Sequence, residues 1–188
     1  MEIAGLVLAA GSGSRFGQPK AGVVIEGERL VDRAVRILSQ AGADPVLVVL
    51  GAWQGSVPGA STVLNPQWPT GMGSSLRAGL QALADPAHRG TDAVLVTLVD
   101  LPGLTVPAVQ RVLHTRAELV VATYDGVRGH PAKFGRRHWG GIAASARGDA
   151  GAREYLRNRS DLVLVEVGDV ATGQDLDRPA DLTGPSTA

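Results

Sequence analysis

Apolar residues along this chain fall into two alternating patterns. Five short runs, Ile3–Ala9, Val46–Leu50, Ala93–Val99, Leu119–Ala122 and Leu162–Val167, are nearly continuous in apolar residues rather than alternating with polar ones. Runs of this length and character predict strands covered on both faces, as in parallel or mixed sheets. Between them the apolar residues recur every three to four positions, which predicts helices. Leu30–Ala41 sets Leu30, Ala34, Ile37, Leu38 and Ala41 on one face and stops at Gly42. Met72–Ala84 carries Leu76, Leu80 and Leu83 at helical spacing. Val106–Arg116 has Pro107 in its first turn, where a missing N–H costs nothing. Gly151–Arg159 is a shorter helix with Tyr155 and Leu156 turned inward. Strand and helix take turns, so the pattern predicts an α/β fold with helices on both faces of the sheet.

The 188 residues suffice for one domain with a proper core, read here as 1–188. No repeat or linker divides it, and the Gly/Pro/Ser/Thr-rich tail, 183–188, is expected to be flexible. With 44% hydrophobic and 19% charged residues the chain reads as a soluble globular protein. Lys plus Arg and Asp plus Glu are both 18, so no long-range field draws the protein to nucleic acid or to an anionic membrane. Any phosphate must therefore be held by a local cluster. The absence of cysteine excludes disulfides and thiolate metal sites. Met1-Glu2-Ile3 offers no basic leader, and no apolar run approaches the ~18 residues needed to span a bilayer. The expected location is the cytoplasm.

The first candidate chemistry follows the first strand. Ile3–Ala9 runs into Ala10-Gly11-Ser12-Gly13-Ser14-Arg15-Phe16-Gly17-Gln18-Pro19-Lys20. Small residues let successive backbone N–H groups close around phosphate oxygens, and Arg15 and Lys20 add positive charge there. The competing reading is a plain glycine-rich turn with two solvated cations, but the position directly after a buried first strand favours a phosphate loop. It is not a Walker A loop, because Lys20 follows Pro19 and precedes Ala21-Gly22. Nor does Gly11-x-Gly13-x-x-x-Gly17 have the spacing of the dinucleotide fingerprint.

Three further segments carry candidate chemistry. Val96-Thr97-Leu98-Val99-Asp100-Leu101-Pro102 ends an apolar strand in a carboxylate at the edge where open α/β sheets bind ligands. Mg²⁺ takes oxygen ligands and keeps several waters, so one or two carboxylates suffice, although Asp100 is also placed to cap a turn. Asn65-Pro66-Gln67-Trp68-Pro69-Thr70-Gly71-Met72-Gly73-Ser74-Ser75 puts serines in a helix's first turn, for capping or for a ligand. Gly129-His130-Pro131-Ala132-Lys133, with Arg136, Arg137 and His138 nearby, forms a basic cluster of a kind that meets an acceptor phosphate.

Taken together, these segments resemble the MobA-like NTP transferases, and within them the molybdenum cofactor cytidylyltransferases. The resemblance starts at Leu8-Ala9-Ala10-Gly11, where the cytidylyl branch carries Ala-Ala-Gly and the guanylyl branch usually Ala-Gly-Gly. Phe16 stands where the family usually has Met. The resemblance continues through Asp100-Leu101-Pro102, Gly71-Met72-Gly73-Ser74-Ser75, Gly129-His130-Pro131 and Gly148-Asp149-Ala150-Gly151-Ala152-Arg153, and ends in Asp175-Leu176-Asp177-Arg178-Pro179-Ala180-Asp181-Leu182.

The resemblance implies a three-layer α/β/α fold, a Rossmann-like, mostly parallel sheet of the nucleotide-diphospho-sugar transferase type. It implies an enzyme that moves a nucleoside monophosphate from an NTP, CTP by preference, to a phosphorylated small molecule such as molybdopterin, releasing pyrophosphate. Arg15, Lys20 and Asp100 would be catalytic. Leu8, Ala9, Ala10, Gly11, Ser12, Gly13, Gly71 and Ser75 would hold the nucleotide, with Asn65 and Trp68 as weaker contacts. Asp100 and Asp177 would hold Mg²⁺, with Asp175 as the alternative to Asp177. His130, Lys133, Asp149 and Arg153 would face the acceptor. A molybdoenzyme or its maturation factor is an expected protein partner. The rival readings are a GTP-dependent guanylyltransferase, a sugar-1-phosphate nucleotidyltransferase, and a non-catalytic factor that binds and delivers the cofactor.

Overall fold

The computed structural model describes residues 1–183, with side chains through Asp181. Of the tail 183–188, all but Thr183 lies outside the described residues. In chain order the elements are β1 (Glu2–Ala9), the small hairpin β2 (Val24–Ile25) and β3 (Glu28–Arg29), α1 (Leu30–Ala41), β4 (Val46–Leu50) and β5 (Ser61–Leu64). Then come α2 (Met72–Leu83), β6 (Thr91–Leu98), α3 (Val106–His114), β7 (Leu119–Tyr124) and β8 (Val127–Gly135). The last three are α4 (Trp139–Ser145), α5 (Arg153–Leu156) and β9 (Leu162–Glu166).

Seven strands form one sheet in the order β5-β4-β1-β6-β8-β7-β9. Every neighbouring pair is parallel except those that involve β8, which runs antiparallel between β6 and β7. Side chains alternate across the sheet, as strand geometry requires. In β1, Ile3, Val7 and Ala9 join the core beneath α1 and α3, while Ala4, Leu6 and Leu8 join the core beneath α2, α4 and α5. The result is the three-layer α/β/α fold that the pattern and the resemblance predict. Among the described residues no helix is long and apolar enough to cross a membrane.

Several boundaries differ from the sequence reading. The predicted strand at 93–99 is β6, which starts at Thr91. The helix read over 106–116 stops at His114, and its N-terminus is capped by Thr105, whose hydroxyl accepts from the Ala108 N–H. The helix read over 151–159 shrinks to Arg153–Leu156. β9 is not covered on both faces: it lies at the sheet edge, with Val163 and Leu164 exposed. The segment Gly129–Arg136, read as a basic cluster, is for the most part the antiparallel strand β8.

The C-terminal segment returns to the sheet after β9. Thr172 N–H donates to the Gly103 carbonyl and Leu176 N–H donates to the Asp100 carbonyl at 2.9 Å. This tie brings 175–177 to the C-terminal end of β6, where the first loop after β1 also emerges.

Candidate active site

The site is built where β1 and β6, adjacent and parallel, both release their chains. The loop after β1 is held in shape from within. Phe16 is buried in the core beneath α1, and the Phe16 and Gly17 N–H groups both donate to the Gly13 carbonyl at 2.8 Å. Gly13 has a φ of +62° and a Cβ there would stand 1.9 Å from the Gln18 carbonyl oxygen, so only glycine suits the position. Gly11, Ser12 and Ser14 donate no hydrogen bond among the described residues. Their N–H groups therefore remain available to an anion, which is what a phosphate-binding nest requires.

Lys20 lies just beyond this loop, in the short 3-10 turn Lys20–Gly22. Its Nζ donates to Asp100 Oδ2 at 2.7 Å and to Asp177 Oδ1 at 3.3 Å. The Lys20 and Asp100 side chains are only 13% and 20% exposed, whereas Asp177 is 48% exposed. Arg15 pairs with Asp177 at 3.6 Å but is 76% exposed, so this outer pair contributes little to stability. Burial works against the charge on Lys20. The hydrogen bonds and charges of Asp100 and Asp177 outweigh it, and its pKa stands above the ordinary lysine value. Asp175, exposed at the cleft, has its pKa raised by partial desolvation, then by the charges of Asp100 and Asp177, with Lys20 pulling the other way.

The Asp177 carboxylate is spent on Lys20 and Arg15, while Asp181 Oδ2 accepts from the Asp177 and Arg178 N–H groups. Asp181, not Asp177, is thus the residue that ties down the turn Pro179–Thr183.

A hard divalent cation suits this donor set. Asp100, Asp175 and Asp177 bring three carboxylates to the cleft around one inner ammonium, Lys20, and the exposed Arg15 guanidinium, which leaves carboxylate charge unbalanced there. Among the described residues no three acidic or histidine groups close into a ready-made shell. A site with one or two carboxylates and water is the arrangement Mg²⁺ favours.

These groups line one open cleft of about 870 Å³, together with Leu8, Ala10, the loop from Gly11 to Arg15, and Leu98 and Val99 of the β6 end. The opposite wall is Trp68–Met72, Ser75, Asp149 and Arg153. Asp149 supports this wall from far along the chain: its Oδ1 accepts from the Met72 N–H at 3.3 Å, at the start of α2. Gly71 has a φ of +105°, and a Cβ there would stand 2.5 Å from the Gly148 carbonyl carbon. The start of α2 and the 148–149 turn therefore fit together only around a glycine. Asn65 is buried and structural, its amide donating to the Ser74 and Ser75 hydroxyls at 2.9 and 3.1 Å.

The structure brings together Leu8, Ala10, Gly11, Ser12, Gly13, Arg15, Lys20, Gly71, Ser75, Asp100, Asp149, Arg153, Asp175 and Asp177. Ala9 points into the core on the α1 side. His130 is not among the lining residues, although Asp100 acts on it; burial first of all pushes its pKa down to about 4, so the ring is neutral at pH 7. Lys133 departs from the sequence reading most. Its register partners on β8's two neighbours are Leu95 and Val120, both in the α1–α3 core, and alternation turns its side chain the same way. It is 2% exposed and its amine donates to the Leu113 and Thr115 carbonyls at the end of α3. Lys133 is a helix cap, not part of the cleft. Met72 and Thr70, which line the cleft, carry no sequence signal beyond their place beside Gly71.

Comparison with known proteins places this geometry among relatives. The MobA-like NTP transferase domain matches residues 5–163. Nicotine blue oxidoreductase of Paenarthrobacter nicotinovorans is 36% identical, over 93% of this chain and 92% of its own. A probable molybdenum cofactor guanylyltransferase of Mycobacterium marinum is 29% identical, over 98% of this chain and 94% of its own. Among solved structures, Rv0371c from Mycobacterium tuberculosis H37Rv superposes with a TM-score of 0.79 at 25% identity, covering 97% of this chain and 96% of that one.

Proposed function

The chain belongs to the MobA-like NTP transferase family, and from that premise we propose that it transfers CMP from CTP to a phosphorylated acceptor of the molybdopterin type. The observation that carries this reading is the convergence of Lys20, Asp100 and Asp177 with the open N–H groups after β1 in one cleft. A cation and carboxylates that would hold a metal, set beside a phosphate nest, suit the polyphosphate of an NTP.

An oxygen of the acceptor phosphate attacks the α-phosphorus of the NTP. A new P–O–P link forms, the bond to the bridging oxygen of the β-phosphate breaks, and pyrophosphate leaves. The nucleophile is already ionised at neutral pH, so no strong general base is required; positioning and charge neutralisation suffice. Lys20 and Arg15 neutralise the α-phosphate and the leaving group from the nest side. Asp100 and Asp177 would hold Mg²⁺, and the metal would supply further charge neutralisation for the transferred group. The wall from Gly71 to Ser75 carries base and ribose, and Arg153 meets the acceptor phosphate. The preference for CTP rests on the resemblance of Leu8-Ala9-Ala10-Gly11 to the cytidylyl branch, and of this pair of alanines Ala10 lines the cleft. The same chemistry with GTP is the nearest alternative, since several relatives are named as guanylyltransferases.

Pyrophosphate release from each of the four NTPs, with Mg²⁺ and molybdopterin, tests this reading. Release from CTP above the other three supports it, release from GTP above CTP moves it to the guanylyl branch, and release from none overturns it.

The relative named nicotine blue oxidoreductase favours a second reading, a redox enzyme. A dinucleotide carrier also has a diphosphate that the loop after β1 would hold. Consumption of a reduced nicotinamide dinucleotide in the absence of any NTP would select that reading.

A further inference from the structure

Building on the metal–nucleotide reading of the cleft, we propose that in the nucleotide-free protein the Lys20 ammonium occupies the place of the divalent cation. Metal and NTP then enter as a coupled pair rather than independently.

One cation, the Lys20 ammonium, stands between the Asp100 and Asp177 carboxylates. Lys20 Nζ lies 2.7 Å from Asp100 and 3.3 Å from Asp177, and it bridges the two residues best placed to hold the metal. Mg²⁺ and Mn²⁺ seek carboxylate oxygens at about 2.1 Å, closer than the ammonium stands, so a bound ion on these oxygens would press against Nζ. The bridging pair is the least exposed charge in the cleft, and water screens its repulsion from an incoming dication poorly. Free metal must therefore displace Lys20 from both carboxylates while the ammonium gains no new partner.

A triphosphate removes that penalty. The loop from Gly11 to Arg15 lines the same cleft as Lys20, and the lysine stem is long and rotatable. Phosphate oxygens in the nest offer the ammonium a second anionic partner, which frees Asp100 and Asp177 for the ion. Arg15 cannot take over the bridging role, being 76% exposed and in reach of Asp177 alone. Linkage requires the coupling to be reciprocal: whatever factor NTP adds to metal affinity, metal adds to NTP affinity.

The test is a calorimetric Mn²⁺ titration of wild type, Lys20→Met and Lys20→Arg without nucleotide, with thermal melts to check folding. The proposal expects Lys20→Met to bind Mn²⁺ at least ~5-fold tighter than wild type, the low end of ordinary coupling factors, and Lys20→Arg to stay weak. Equal or weaker binding by a folded Lys20→Met overturns it. Wild type supplies a second measurement free of any folding question. Its Mn²⁺ affinity, corrected for Mn²⁺ bound by the nucleotide itself, should rise with saturating CTP or GTP, and an unchanged affinity overturns the coupling. The transferase reading fails separately: if no NTP binds at any metal concentration, that reading falls, while the nucleotide-free comparison still decides the role of Lys20.

Discussion

Lys20 and Asp100 stand 80 positions apart in the sequence, yet the lysine Nζ donates to the aspartate Oδ2 at 2.7 Å. The pairing of β1 with β6 makes this contact, because two adjacent parallel strands release their loops at the same sheet edge. It places a cation from the first loop against a carboxylate just beyond β6, the fourth strand in the sheet's order, and the return of the C-terminal segment adds Asp177 to the pair.

Lys20→Ala and Asp100→Ala should each reduce pyrophosphate release by at least ~10²-fold, the scale of losing a transition-state charge partner. Thermal melts should show both variants folded. Turnover near wild type in either variant would remove that residue from the catalytic centre.

Gly13→Ala should impair NTP binding more than folding. The added methyl collides with the Gln18 carbonyl, and the positive φ is strained for any side chain, at a cost of about 1–3 kcal/mol. The loop has to rearrange, and the orientation of the Gly11 and Ser12 N–H groups is lost with it. Equilibrium binding of CTP beside a thermal melt separates the two effects.

Much of this was legible in the sequence and some was not, for physical reasons. The loop after β1 and the strand ending at Asp100 are local motifs, so their chemistry can be read from contiguous residues. The uniform apolar runs of β1, β4 and β6 likewise announce buried strands. β8 does not, because Gly129, His130, Pro131 and Lys133 break its apolar pattern. β5, Ser61–Leu64, is a short, largely exposed edge strand with little hydrophobic signal. Lys133 reads as part of a basic cluster facing the acceptor because nothing local reveals that the end of α3 supplies carbonyls to its amine. Asp149 is 77 positions from the Met72 N–H it accepts from, and only the packed fold joins them.

Lys133 and Arg153 should therefore part company on substitution. Lys133→Ala leaves two carbonyls without their donor and a hole in the core, and should lower stability by about 2 kcal/mol or more with the acceptor KM unchanged. Arg153→Ala, on the exposed cleft wall, should raise the acceptor KM and leave the melting temperature near wild type. Denaturant titration and acceptor kinetics distinguish the outcomes.

Acid stability should depend on Glu166. Its carboxylate accepts from the Gly126, Gly168 and Asp125 N–H groups and from the Thr123 hydroxyl. The bond from Gly126 acts most strongly, and together these bonds lower its pKa from 4.5 to about 2. A depressed carboxylate pKa gives stability that is fully present above the unfolded value and is lost as pH falls through the folded one. Urea midpoints measured from pH 5 to pH 2 should fall with acid in wild type and fall less steeply in Glu166→Gln. Identical slopes would show that this carboxylate does not contribute.

The central claim is that the cleft moves a nucleotidyl group, and following the α-phosphate tests it most directly. With CTP labelled at the α-phosphorus, Mg²⁺ and molybdopterin, the label should pass to the acceptor in step with release of unlabelled pyrophosphate. Label that stays on CTP while the protein, folded and metal-loaded, oxidises a reduced nicotinamide dinucleotide instead would contradict it.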